Sequence, residues 1–281
     1  ILCMRFINYF FILFFIFAAF GCQTTGRYIF HQSGYGNYKD IDWNETFYAN
    51  ARLPSKNSIE WISEEGSQFL RFRLKDKDKG WSHTDRKARH SAPYWERAEV
   101  KQRKSLNKSN LYEIDFLVRF VEGFNGNREN FFQIHQSNDG CRISPVIMLK
   151  FSEGTMLGEW TFNISENKGK WINFNILLDL NNQSYTIKID NKLFVEDRGF
   201  RKPLKGCGIP HIKFGIYRPG NIIKPNNLSI VDFDKIQIKE IKIKDGKHYF
   251  NSLSDKMICY RHGFYDGRYV TEAKRRGIKC N

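Results

Sequence analysis

Residues 111–120 read LYEIDFLVRF, and their side chains alternate in character almost without interruption. Tyr112, Ile114, Phe116, Val118 and Phe120 fall on one face, and Glu113, Asp115 and Arg119 on the other. A two-residue period is the signature of a strand with one buried face, and a slip of one residue would turn the whole apolar set to water. Shorter stretches suggest further strands at 68–74, 94–100, 131–135, 145–151, 159–164, 171–179, 184–190, 211–217 and 230–244. In 68–74 we read Phe69 as out of step with Arg71 and Arg73. Turn residues separate the runs, at Gly123 to Asn127, Asn138-Asp139-Gly140, Asn181-Asn182 and Asp190-Asn191. Long helical periodicity is scarce. Many short strands with regular turns imply an all-β sandwich or barrel.

The two ends differ from this middle. Between Phe10 and Phe20 the chain is FFILFFIFAAF, with Arg5 as the only charge before Cys22. The run is short for a membrane span and has the form of a secretory signal. Ala19-Phe20-Gly21-Cys22 resembles the bacterial lipobox, although Ala19 stands where Leu is usual. Residues 1–21 are therefore expected to be a lipoprotein-type signal peptide, with Cys22 lipidated and the protein exported to the outer membrane, periplasm or cell surface. Six cysteines are present, and setting aside Cys3 and Cys22 leaves Cys141, Cys207, Cys259 and Cys280. An even number in an exported chain, with no CxxC pair, favours disulfides over a zinc site. Three pairings are open to four cysteines. If the strands carrying His135 and Lys213 are antiparallel neighbours, Cys141 and Cys207 come to one end of the sheet and can bridge. The tail 250–281 holds Cys259 and Cys280 around a short helix expected at Thr271 to Arg276, and it resembles the small cysteine-closed appendages of some bacterial exported proteins.

Lys plus Arg is 45 and Asp plus Glu is 30, a formal net charge of +15. Only Arg5 belongs to the leader, so the excess lies in the folded part and points to an anionic partner. Nucleic acid, anionic lipid and acidic polysaccharide all qualify, but no helix-turn-helix or RNA-binding motif is present, and export argues against nucleic acid. With 41% hydrophobic and 16% aromatic residues, the chain is neither disordered nor a disulfide-dense miniprotein.

Three strand segments put polar groups on one face. Arg97 and Glu99 share a face, as do Gln133 and His135. Lys213, Gly215 and Tyr217 share another, with Ile212, Phe214 and Ile216 opposite. Gly215 would leave room between its polar neighbours. A basic segment from Arg71 to Arg89, with Lys75, Lys77, Lys79, Arg86 and Lys87, either lines a cleft or solvates a loop.

Arg97-Ala-Glu99-Val100, Gln133-Ile134-His135 and His211-Ile-Lys213-Phe-Gly215-Ile-Tyr217 occur in the order of the motifs of the jelly-roll polysaccharide lyases. The chain resembles that group, which includes alginate lyases, glucuronan lyases and heparin lyase I, over about Tyr28 to Lys244. Val100 stands for Leu and His211 for the first Tyr of the last motif, which opens the question of substrate subclass. The resemblance implies a concanavalin A-like jelly-roll sandwich over 22–249, followed by the cysteine-closed extension 250–281. It also implies β-elimination on an acidic, uronate-containing polysaccharide. By resemblance His135 and Tyr217 are the catalytic pair, and Arg97, Glu99, Gln133, Lys213 and Arg218 bind substrate. The reaction calls for no cofactor and no metal, and a monomer is expected.

Two rivals remain at the level of sequence. Lectin-like glycoside hydrolases carry Glu-x-Asp-x-x-Glu on one strand. Here Glu113-Ile-Asp115 is followed by Val118 where the third acid would stand. The other rival is a non-catalytic glycan-binding lipoprotein with the same sandwich.

Overall fold

The computed structural model describes residues 47–49, 55, 57–80, 85–86, 92–121, 123–124, 126–136, 145–200, 204, 208–220, 228–241, 255, 258–259 and 267–279. The signal segment, Cys22, Cys141, Cys207, Cys280, Lys87 and Arg89 lie outside these residues. Cys259 is disulfide-bonded.

The strands in chain order are β1 (Phe47–Ala49), β2 (Ile59–Glu64), β3 (Ser67–Lys75), β4 (Trp95–Gln102), β5 (Leu111–Phe120), β6 (Asn130–Gln136) and β7 (Ile147–Lys150). They continue as β8 (Thr155–Leu157), β9 (Thr161–Asn163), β10 (Trp171–Asp179), β11 (Ser184–Ile189), β12 (Lys192–Gly199), β13 (Pro210–Pro219) and β14 (Leu228–Ile241). Helix α1 (Ile164–Asn167) follows β9, and α2 (Gly267–Arg276) lies in the tail.

Two antiparallel sheets face each other. The five-stranded sheet has the order β1-β4-β13-β6-β7, and the seven-stranded sheet β12-β11-β10-β5-β14-β3-β2. The chain crosses between them repeatedly, from β3 to β4, β4 to β5, β5 to β6 and β13 to β14. This is a sandwich, one of the two architectures that the alternation pattern left open, and it has the jelly-roll form that the resemblance implied.

The core is largely phenylalanine. Phe116 of β5 stacks on Phe132 of β6 at 5.0 Å and on Phe174 of β10 at 5.4 Å, tying the sheets together. Phe214 of β13 lies 4.9 Å from Phe233 and 5.7 Å from Phe72. A second aromatic group surrounds Phe120, with Phe124, Phe131 and Phe151 each about 5 Å from it.

The alternation expected in β5 is present as drawn, with its even-numbered residues buried. β3 departs from expectation. Leu70, Phe72 and Leu74 face the core, so Phe69 lies in step with Arg71 and Arg73 on the outer face. It is buried there because the Arg71 and Arg119 guanidinium groups cover it, at 5.5 and 4.7 Å from its ring centre. The stretch 159–164 divides into the short β9 and α1.

Helix α2 begins earlier than Thr271. Ala273 packs with Leu111, Leu177 and Ile258, with Ile241 and Ile278 at the margin. That cluster sits on the outer face of the seven-stranded sheet. No helix among the described residues is long and apolar enough to cross a membrane.

Candidate active site

The polar residues of interest stand on three adjacent strands of the five-stranded sheet, with β13 between β4 and β6. Register places Tyr217 opposite Arg97 and Gly215 opposite Glu99. Lys213 lies opposite Lys101 on one side and Gln133 on the other, and His211 faces His135. Ile212, Phe214 and Ile216 point into the core, so alternation leaves the polar set on the sheet's outer face. The structure thus brings Arg97, Glu99, Gln133, His135, Lys213 and Tyr217 onto one surface.

Tyr217 and Arg97 form its most ordered part. The Arg97 guanidinium carbon is 4.2 Å from the Tyr217 ring centre. Trp95, two residues before Arg97 on β4, stacks on the same tyrosine at 4.9 Å with an interplanar angle of 18°. Arg97 donates from Nε and Nη2 to the two carboxylate oxygens of Asp85, at 2.9 and 2.8 Å, and from Nη1 to Glu99. Burial alone would lower the Arg97 pKa, but Glu99 and Asp85 more than offset this and the net shift is upward. Glu99 also accepts from Gln133 Nε2 at 2.6 Å. Asp85, Glu99, Arg97 and Gln133 therefore form one continuous network beneath the surface.

Two imidazoles stack beside it. The rings of His135 and His211 are 5.7 Å apart with an interplanar angle of 28°. His211 Nδ1 is 2.9 Å from the Ile209 carbonyl oxygen. A carbonyl only accepts, so this nitrogen carries the proton. The Nδ1 of half-buried His135 is sealed from solvent and has no hydrogen-bond partner among the described residues. Burial, then Lys213, His211, Arg97 and Lys101, push the His135 pKa down to about 2. Burial, then Lys213 and Lys101, push His211 down to about 3. Both rings are neutral near pH 7. Lys213 is 8% exposed, and burial, followed by Arg97 and Lys101, brings its pKa down to about 7 against the opposing pull of Glu99 and Asp85.

Gly215 has a different part from the one expected. Its φ is +132°, and an added Cβ would lie 2.2 Å from the Ala98 carbonyl oxygen and 2.8 Å from the Phe72 ring. It permits close strand approach and the irregularity in β13–β6 pairing between Phe214 and Tyr217.

Arg218 is corrected. It was expected at the substrate, but it follows Tyr217 by one residue and therefore points between the sheets. It is 1% exposed and donates to Glu96 at 2.6 Å, to Glu129 at 2.7 Å and to Ser229. The basic segment is likewise dispersed. Arg71 pairs with Asp232 on the outer face of the other sheet, and Lys79 lies over the Tyr94 ring at 4.7 Å. Glu113 and Asp115 both accept from Asn175 on that outer face, away from the site.

Sequence reasoning missed Asp85, Trp95 and Lys101. Lys101 was accessible by counting, since it continues the Arg97, Glu99 series on β4. Asp85 lies in a connection without periodicity and gave no signal. No group of three or more His, Cys, Asp or Glu side chains that could hold a metal ion occurs among the described residues.

No protein-family model and no curated protein sequence matches the chain. Among solved structures it is similar to the alginate lyase A1-II', a member of polysaccharide lyase family 7, with 12% identity and a TM-score of 0.47 over 65% of this chain and 84% of that one. It is also similar to an endo-β-1,4-glucuronan lyase from the fungus Trichoderma reesei, with 13% identity and a TM-score of 0.47 over 64% of this chain and 85% of the other. The alginate lyase AlyC3 is similar at 16% identity and a TM-score of 0.42, over 65% of this chain and 78% of that one. The structural neighbours of this sandwich therefore include polysaccharide lyases.

Proposed function

We propose that the protein is a polysaccharide lyase that cleaves an acidic, uronate-containing polysaccharide by β-elimination. The observation that carries this reading is the placement of Tyr217 against a guanidinium, on the same outer face as a neutral imidazole and a half-ionised lysine.

In such a reaction the C5–H bond of the uronate and the C4–O glycosidic bond break, and a C4–C5 double bond forms. The C5 proton leaves to a base, and the departing oxygen takes up a proton, so no water is consumed. C5 is weakly acidic because the adjacent carboxylate is already negative, and cationic or hydrogen-bonding groups at that carboxylate stabilise the enolate-like dianion. His135 is neutral throughout the physiological range and so is no imidazolium donor. Protonation of the leaving oxygen falls to Tyr217, whose ring the adjacent Arg97 cation holds in place. With C5–H and leaving group on one side of the ring, Tyr217 both takes the proton and returns it, while His135 contacts the sugar. The excess of basic residues suits a polyanionic polymer.

A panel of polyuronates, followed by the ultraviolet absorbance of the unsaturated product, tests the assignment. Tyr217→Phe and His135→Ala should each lower turnover by roughly 10²–10⁴-fold, the usual contribution of a positioned proton-transfer group, with the fold intact by circular dichroism. Near-wild-type turnover in both variants would remove these residues from the chemistry. Binding of a polyuronate without any unsaturated product would favour a glycan-binding role.

A further inference from the structure

Tyr217 stands where its strand is least regular. Phe214 pairs with Phe132 and Tyr217 with Asn130, so three steps along β13 match two along β6. Towards β4 the pairing of β13 is unbroken from Lys213 to Pro219. The far edge of β6 is irregular over the same stretch, since Asn130 pairs with Lys150 and Phe132 with Leu149 on β7. Gly215, with φ of +132°, absorbs the extra residue of β13. On β6 the consecutive Phe131 and Phe132 both turn into the core, against Phe120 and Phe116. A bulge re-aims the side chains beside it and also interrupts the ladder that would hold them.

Three groups restrain the tyrosine at this bulge. Arg97 and Trp95 act on the faces of its ring. Stacked planes resist tilting but slide over one another easily. The third restraint acts on the backbone. Asn130, 3% exposed, donates from Nδ2 to the Tyr217 carbonyl oxygen at 2.9 Å. Glu129, the residue before it, accepts from Arg218, the residue after Tyr217. Consecutive residues of β6 thus grip consecutive residues of β13, one on the outer face and one between the sheets.

The Asn130 amide does this at a cost. Its Oδ1 is sealed from solvent and has no hydrogen-bond partner among the described residues. A buried acceptor left unpaired carries a desolvation penalty that an apolar side chain of the same shape avoids. Asn130 therefore adds little net stability, and its one made bond fixes the peptide that joins Tyr217 to Arg218.

We propose that Asn130 is a positioning residue, which holds the Tyr217 carbonyl at the bulge and so sets where the phenol stands against the sugar. This rests on the lyase reading above. The phenol oxygen is at the far end of a long side chain, so a small rotation of the Tyr217–Arg218 peptide displaces it most. A misplacement of about 1 Å can slow a reaction about 10²-fold.

The test uses the full chain with Asn130→Leu and Asn130→Asp, two near-isosteres that lose the amide donor, one apolar and one acidic. On a polyuronate each should lower kcat about tenfold to a hundredfold, with KM within about threefold of wild type. Asn130→Leu should unfold close to the wild-type midpoint, because it removes one unpaired buried acceptor while it frees another. The indole N–H resonance of Trp95, assigned with Trp95→Phe, reports the stacked tyrosine and should shift in both variants. Wild-type kcat in both, on a polymer that wild type cleaves, would overturn the positioning role and leave the lyase reading standing. Lowered kcat with a matching fall in unfolding midpoint and an unmoved Trp95 resonance would show a merely structural residue, and would also overturn it. A shifted Trp95 resonance in both variants, with no unsaturated product from any polyuronate by wild type, would keep the hold on Tyr217 and overturn the lyase reading.

Discussion

The Arg97 guanidinium carbon lies 4.2 Å from the centre of the Tyr217 ring, and the two residues are direct cross-strand partners. A cation over an aromatic face contributes about 0.5–1 kcal/mol when exposed and about 2 or more when desolvated. Here the contact is buried, and Asp85 and Glu99 fix the cation in position. The Tyr217 ring is therefore held against a cation that cannot easily move.

Replacing Arg97 with Lys keeps a charge but loses the planar fork that holds Asp85 at two points. Turnover on a polyuronate should fall about tenfold or more, equivalent to about 1.4 kcal/mol, because the Tyr217 ring loses its fixed partner. KM should change less than kcat. Unchanged kcat would show that the guanidinium does not act on the tyrosine.

Arg218 should matter for stability. Its charge is shared between Glu96 and Glu129 in the sealed space between the sheets, with Ser229 and the Leu74 carbonyl oxygen completing the set. Arg218→Met leaves two buried carboxylates without their cation, at a cost of about 3–5 kcal/mol. Urea unfolding should register the loss as a lower midpoint with an unchanged slope. A triple replacement of Arg218, Glu96 and Glu129 by apolar residues should recover much of it, since the cost is that of uncompensated charge.

Stability should fall on mild acidification. The folded-state pKa values of His135 and His211 are lowered to about 2 and about 3, against about 6.5 in the unfolded chain. Below pH 6.5 the unfolded chain binds protons that the folded protein refuses, so each imidazole contributes a slope of up to about 1.4 kcal/mol per pH unit as pH falls towards 3. Lys213 acts at the other end. Its folded pKa of about 7 lies below the model value of 10.5, so stability rises as pH increases through that window. Denaturation midpoints across pH should show a shallower acid limb for His135→Asn combined with His211→Asn. Lys213→Met should flatten the alkaline rise.

Patterns that depend on near neighbours in the chain were the legible ones. The limits expected for β10, 171–179, are those observed, and Asp190-Asn191 turns with φ of +47° and +64°, as a tight hairpin between right-twisted strands requires. The shared outer face of Arg97 and Glu99 was visible from spacing alone. Arg218 shows where composition misled: a basic residue next to a motif suggested a ligand contact, but strand parity turned it inward. The partners that tolerate it there, Glu96, Glu129 and Ser229, come from three separate segments. Phe69 shows the converse, an aromatic buried on an outer face because arginines from two strands fold over it. Asp85, which completes the Arg97 pairing, is placed by tertiary structure alone.

Helix α2 packs with Leu111 and Leu177 on the outer face of the seven-stranded sheet, whereas Tyr217, His135 and Lys213 line the outer face of the five-stranded one. The sandwich thus has one face lined with polar groups and one capped by a helix. A bead or a dye attached through an exposed residue of α2, such as Lys274, is carried on the helix side, two sheet layers away from Tyr217. Held against a surface by that helix, the protein leaves the face with Tyr217, His135 and Lys213 turned to solution.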